Sequence, residues 1–233
     1  MKDTAVKTMF ETIAAGYDFQ NSFLSLGQDI YWRRVLAAAL ELPPGGRIVD
    51  VAAGTGETAL AINRRHPRNL LVGVDFSPAM LAVGRRKIAA RRPGAPIGLT
   101  GGDGRQLPLR SGVADAVTIA FGIRNIEERY QALAEFHRVL KPGGRLYVME
   151  FSYPEAPVLA PLYRFYFHHI LPPVGNRISK TDYAYSYLAD SVRNFPDDRQ
   201  FCVELKHAGF IDPEIVRLTF GIVKIFISRK EEA

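Results

Sequence analysis

Ile48-Val49-Asp50-Val51-Ala52-Ala53-Gly54-Thr55-Gly56-Glu57 decides how this chain folds. A β-branched run carries one acid and then opens into a glycine turn ahead of a helix-forming segment. Glycines let the backbone approach a ligand that a Cβ would push away. The free N–H groups of the following helix point at the same place. The stretch therefore reads as the entry to a nucleotide-type cofactor site.

Outward from it, strand and helix signals alternate. Arg47–Val51 reads as a strand and Glu57–Arg65 as a helix. Asn69–Val74 is a strand, and Ser77-Pro78 caps a helix to about Ala90. Ile97–Thr100 and Asp115–Phe121 are strands. Glu127–Leu140 is a helix ending at Lys141-Pro142-Gly143-Gly144, and Arg145–Phe151 is the next strand. Such alternation implies right-handed crossovers and a parallel sheet. Helices are expected over Ala156–Leu171, Asp182–Val192 and Asp197–Ala208. Two β-type stretches in Glu214–Arg229 add to the sheet, one of them antiparallel. The expectation is a single domain, with a Rossmann-like core at 43–153 and 195–233. Residues 1–42 and 154–194 supply a helical lid over it.

Composition bounds the function. At 47% hydrophobic and 23% charged residues, 233 residues can build a core of ordinary globular size. One cysteine, Cys202, gives neither a disulfide framework nor a thiolate metal cluster, and it reads as a buried helix residue. His168-His169 point to different helix faces, so no metal is expected. No apolar run spans a bilayer and no secretory signal opens the chain, which makes a cytoplasmic protein the expectation. The formal charge of +6 comes from scattered arginine clusters. Without a recognition motif they do not indicate nucleic acid, but they suit solvated helix faces or an anionic membrane surface.

In an open parallel sheet, ligands bind beyond the carboxyl ends of the strands, and the polar residues fall there. Asp50 and Gly54-Thr55-Gly56 end the first strand and Asp75 the second. Asp103-Gly104 follow the third, Arg124 and Asn125 the fourth, and Glu150 the fifth. Asp75, about 20 residues past the turn, suits a ribose diol, or else a helix N-terminus. Asp103-Gly104 suits an adenine edge, or a plain turn. The turn satisfies G-x-G-x-x-A through Ala59, a pattern common to NAD and S-adenosylmethionine sites. Three features favour S-adenosylmethionine: the long segment before the turn, Gly-Gly before the fifth strand, and the antiparallel pair at the end. A nicotinamide-dependent oxidoreductase stays as the alternative.

FETIAAGYDFQN, GRIVDVAAGTGETAL, GVDFSPAMLAVGRRK, AVTIAFGIRNIEERYQAL and RVLKPGGRLYVMEFSYP together resemble the ubiquinone/menaquinone biosynthesis C-methyltransferases of the UbiE/MenG family. AFGIRN and MEFSYP, in order with NFPD, are the specific segments. The resemblance runs from about Phe10 to Phe226. It implies a class I S-adenosylmethionine-dependent methyltransferase fold, with a seven-stranded, mostly parallel sheet and one antiparallel strand. It implies methyl transfer to a ring carbon of a polyprenylated hydroquinone, foremost demethylmenaquinol, with another small lipophilic acceptor as the alternative. A substrate that lives in the bilayer implies peripheral contact with the membrane.

By position, the resemblance assigns cofactor contacts to Thr55, Asp75, Asp103 and Gly104, and to the backbone of Ala120 where some members have serine. It puts Tyr17, Asp75 and Arg124 around one water as the proton acceptor. Arg124 is the candidate to face the quinol oxygen, or else to pair with Glu127 or Glu128. Tyr17 could close over the cofactor or merely pack. Tyr163-Arg164-Phe165-Tyr166-Phe167 and Ile170-Leu171-Pro172-Pro173 could line an isoprenoid pocket, or be core. Two departures stand out: Glu57 replaces a usual Asp, and LSLGQDIYWRR keeps Trp32 and Arg33 but has Asp29-Ile30 where His-Arg is typical.

Overall fold

The computed structural model describes residues 2–154, 159–171, 173 and 184–232. Three helices come first: α1 (Lys2–Ile13), α2 (Tyr17–Leu24) and α3 (Gln28–Ala39). Then come β1 (Arg47–Val51), α4 (Glu57–Arg65), β2 (Leu70–Asp75), α5 (Pro78–Arg91), β3 (Ile97–Gly101) and β4 (Ala114–Ala120). α6 (Arg129–Val139) leads into β5 (Leu140–Phe151). α7 (Leu159–Phe165) runs into a π-helical turn at Tyr166–Ile170. α8 (Ala184–Arg193), α9 (Asp198–His207), β6 (Phe210–Leu218) and β7 (Val223–Lys230) complete the order.

The seven strands form one sheet in the order β3-β2-β1-β4-β5-β7-β6. β1 to β5 pair in parallel, with Val49 beside Val72 on one side and Val117 on the other. β7 runs antiparallel to both β5 and β6. The strand order reverses beside β1, at the crevice between the β1 and β4 ends where such sheets hold ligands.

Period-two alternation divides the core. Val49, Val51, Val117, Ile119, Leu146 and Val148 face α6 and α9, meeting Leu133, Phe136 and Phe201. Ile48, Ala116, Tyr147 and Met149 face α3 and α4, meeting Trp32, Leu36 and Ile62. Each large apolar side chain buried this way contributes about 1.5–3 kcal/mol. A third cluster joins Met9 and Ile13 of α1 to Met80 of α5, Phe167 and Leu171 of the α7 segment, and Ala189 and Val192 of α8. The helices outside the sheet layers thus hold one another, with α5 as their base.

α6 stops at Val139, and Lys141-Pro142-Gly143-Gly144 belongs to the irregular start of β5. The register jumps from Ala114 opposite Leu140 to Ala116 opposite Arg145, and Gly143 supplies the φ of +74° that this bulge needs. α9 starts on an Asp197 side chain that accepts the Gln200 N–H at 2.8 Å. Cys202, on α9, is half-buried. Among the described residues no helix is long and apolar enough to cross a membrane.

Gly73 in β2 sets how closely the glycine turn sits on the sheet. A Cβ there would lie 2.9 Å from the Ala53 Cβ and 2.5 Å from a Leu99 methyl. Gly73→Val, although favourable to a strand by propensity, is expected to destabilise the fold by about 1–3 kcal/mol. Urea unfolding measures it, and a stability equal to wild type would refute this packing argument.

Candidate active site

The turn after β1 and the end of β2 are bonded to each other. Asp75 Oδ2 accepts the Gly54 N–H at 2.7 Å, and Oδ1 accepts the Ser77 N–H at 2.8 Å. Ser77 in turn caps α5, accepting the Met80 N–H at 3.4 Å. The bonds bear on the helix-start role expected of Asp75 and leave room for the other. It anchors a helix start, and each oxygen keeps acceptor capacity for a ligand hydroxyl. Burial pushes its carboxyl up, against the bonds from Ser77 and Gly54 that pull it down.

A pocket opens around this junction. Its wall includes Gly54, Thr55, Asp75, Asp103, Gly104, Ala120 and Tyr17. Gly54 and Gly56 hold φ of +53° and +79°, values that favour glycine. Ala52 and Phe121, at the carboxyl ends of β1 and β4, also adopt positive φ, +53° and +58°. Such strain, about 1–3 kcal/mol per residue, persists where surrounding structure over-determines it and clusters at functional sites. Asp103 is fixed by Arg105, whose side-chain hydrogen bonds hold the carboxyl below the usual range. Arg105 also reaches Glu128 at 2.5 Å.

Two predicted cofactor residues stand off the wall. Gly56 sits behind it, at the start of α4. Asp50 lies beneath it, 1% exposed, accepting the Thr118 hydroxyl at 2.7 Å on Oδ1 while Oδ2 has no partner.

A second cavity, about 420 Å³, adjoins the first and is mostly apolar. Met9, Ile13, Trp32, Phe151, Tyr163, Tyr166, Phe167 and Leu171 contribute its surface. Four of the predicted tail-pocket residues, Tyr163, Tyr166, Phe167 and Leu171, are thus on its wall, whereas Phe165 is exposed. The side chains of Arg164, Ile170 and Pro172 lie outside the described residues. Phe10, Tyr17, Arg33 and Phe121 border both chambers.

Arg124 faces the apolar cavity. Its ion partner is neither Glu127 nor Glu128 but Glu150, fully buried at the end of β5, at 2.8 Å. Nη1 also donates to the Phe121 carbonyl at 2.5 Å, and Nε to the Ser191 hydroxyl at 3.3 Å. Glu150 fixes the guanidinium in place, and no local pattern links the two, which lie 26 residues apart.

The lid is tied to the turn. Asp18 of α2 accepts the Thr55 hydroxyl at 2.5 Å and pairs with Lys87 of α5. Lys87 also reaches Glu57 at 3.0 Å, and Glu57 reaches Arg91 at 2.9 Å. The departure at Glu57 thus serves an ion network beside the turn. Among the described residues no cluster of three metal-ligating side chains occurs.

Burial pushes Asp50 up to about 7, although Thr118 and the charge of Arg33 pull it down. A carboxyl raised on folding stabilises the fold fully only below its unfolded value, and that contribution is lost as pH rises through about 7. Asp50→Asn should therefore gain on wild type by up to about 1.4 kcal/mol per pH unit from about pH 4 upward, levelling off above neutrality. Urea unfolding across that range tests this, and a difference independent of pH would contradict it.

Comparison with known proteins agrees with this architecture. The ubiE/COQ5 methyltransferase family matches residues 1–230. The chain is 42% identical to the ubiquinone/menaquinone biosynthesis C-methyltransferase UbiE of Geotalea daltonii, over 98% of this chain and 97% of that protein. It is 44% identical to the demethylmenaquinone methyltransferase of Thermus thermophilus, over 94% and 98% of the two chains. In fold it is similar to an S-adenosylmethionine-dependent methyltransferase of known structure from Thermotoga maritima, with a TM-score of 0.65 at 18% identity, covering 96% of this chain and 100% of that one. The match sets aside the nicotinamide-dependent alternative. With a class I methyltransferase sheet, an acid at the end of β2 and a full-length family match, the chain belongs to the ubiE/COQ5 methyltransferase family.

Proposed function

We propose that this protein moves a methyl group from S-adenosylmethionine to a ring carbon of a polyprenylated hydroquinone, foremost demethylmenaquinol. The observation that carries this reading is the shared wall. A pocket that carries an acid at the β2 end, and has the more polar lining of the two, meets an aromatic, mostly apolar cavity across Phe10, Tyr17, Arg33 and Phe121. A charged donor and an oily acceptor can meet there.

The pocket fits the donor. Asp75 has acceptor capacity for a diol, the Gly54-Thr55 backbone is on the wall, and Asp103-Gly104, on the same wall, would take the adenine edge. Because the Thr55 hydroxyl is engaged by Asp18, the turn offers the ligand its backbone. When bound, S-adenosylmethionine supplies an electrophilic methyl group on a sulfonium.

The chain's own residues then have two tasks. The acceptor carbon becomes nucleophilic as a neighbouring ring hydroxyl loses its proton, so charge on that oxygen must be stabilised. Arg124 is positioned for this task, since Nη2 has no hydrogen-bond partner among the described residues and the side chain borders the cavity. The proton must also be accepted. A guanidinium is a poor base, so the acceptor is a water held by Tyr17, Asp75 and Arg124. Tyr17, which borders both chambers, is the member that joins Asp75 on one side to Arg124 on the other. Holding the carbon in line with the methyl group supplies much of the acceleration.

A bilayer substrate also needs a route in. Leu26, 89% exposed, lines the apolar cavity, and Phe19 and Phe23 stack beside it on the outer face of α2. We infer that this apolar tip rests on the membrane surface, assisted by the net positive charge.

Methyl transfer from labelled donor to demethylmenaquinol and to the benzoquinol precursor, each reduced and in detergent, tests the reaction. Turnover of neither would overturn it. Arg124→Ala should lower kcat by about 100-fold while S-adenosylhomocysteine affinity changes less than about threefold. Equal losses in turnover and calorimetric affinity would remove Arg124 from its role. Phe19→Ser with Phe23→Ser should reduce sedimentation with phosphatidylglycerol vesicles by about tenfold without altering S-adenosylhomocysteine binding. Undiminished sedimentation would dismiss the docking tip.

A further inference from the structure

The guanidinium of Arg33 is held along one edge and left open along another. Nη1 donates to Asp29 Oδ2 at 2.8 Å and to the Asp29 carbonyl at 3.1 Å. Asp29 Oδ1 accepts the Ser22 and Ser25 hydroxyls at 3.0 and 3.2 Å, so the carboxylate is itself fixed. The Cζ of the guanidinium lies over the Phe121 ring, 5.5 Å from its centroid. Nε is buried and has no partner, and Nη2 makes no hydrogen bond among the described residues. Nε and Nη2 form the parallel pair of donors that one carboxylate accepts in bidentate fashion. A buried donor without a partner is costly, which points to a missing ligand atom.

Position narrows the ligand. Arg33 borders the donor pocket, and its charge acts on Asp50 at the end of β1. Arg105, the other cationic residue among the described ones on that wall, is engaged by Asp103 and Glu128 beyond β3. With sugar hydroxyls at Asp75 on β2 and a base at Asp103 past β3, the rest of the ligand runs over β1 toward β4. Phe121, and Arg33 above it, stand at that end.

We propose that Arg33 binds the α-carboxylate of the amino-acid portion of the methyl donor through its Nε/Nη2 edge, with Asp29 as the positioning residue. Arg33 is kept from the family pattern while Asp29 stands where histidine is typical, so the positioning contact is what departs in this sequence. The proposal rests on the methyltransferase reading.

The test compares S-adenosylmethionine with decarboxylated S-adenosylmethionine, which lacks only that carboxylate, by titration calorimetry on the full chain. Wild type should prefer the intact compound by about 10- to 100-fold, and Arg33→Ala should abolish the preference. Asp29→Ala should narrow it by about three- to tenfold while leaving the affinity for the decarboxylated compound unchanged. Arg33→Lys, which keeps charge but loses the fork, should retain only part of it. A wild type that binds neither compound would defeat the methyltransferase reading itself. A wild type that binds both equally, or an Arg33→Ala variant that keeps the preference, would overturn the clamp alone. If Arg33→Ala keeps that preference and loses turnover, the arginine serves the acceptor's oxygen instead.

Discussion

The short bonds from the Gly54 and Ser77 N–H groups to the Asp75 carboxylate hold the rest of the site in register. One side chain ties the loop after β1 to the end of β2 and to the start of α5. Everything the site does with a polar ligand is measured from that point. The glycine backbone is presented at a fixed height above the sheet, α5 is aimed by its first turn, and α5 is the floor on which the outer helices rest through Met80. Removing the carboxylate would leave the Gly54 and Ser77 N–H groups without this partner.

The sheet was legible because its signals are local. Arg47–Val51, with its β-branched run, the Ser77-Pro78 start and the alternation through Phe151 each announce one element. Strand starts were less legible: Lys141–Gly144, read as the end of a helix, also opens a bulged strand, and β6 begins at Phe210, ahead of the expected Glu214. At the bulge the pairing with Ala114 and with the chain end near Glu231 outweighs local preference. The wall residues Asp75, Asp103, Gly104 and Ala120 could be placed because strand ends can be placed.

What could not be read were the partners across the fold. Glu150 was visible as an acid at a strand end, but nothing in the chain says that it neutralises Arg124. Asp18 lies 37 residues from Thr55 and 69 from Lys87, and no periodicity connects them. Arg33 is the instructive case. Its spacing from Asp29, four residues along a helix, is a recognisable ion-pair signal. Such pairs are common on exposed faces, and only the fold shows that this one is buried between two chambers.

The two chambers carry different residues on the walls they do not share. The charged pair Asp103 and Arg105 lines the first, and the exposed Leu26 lines the apolar cavity. On the proposed function, a water-borne reactant and a lipid-borne one would therefore have separate corridors and would not queue for the same gate. Their encounter happens only at the partition between them, so solvent need not follow either one inward. On the proposed function, spent nucleoside could leave past the charged pair while the acceptor's chain stays in the apolar cavity.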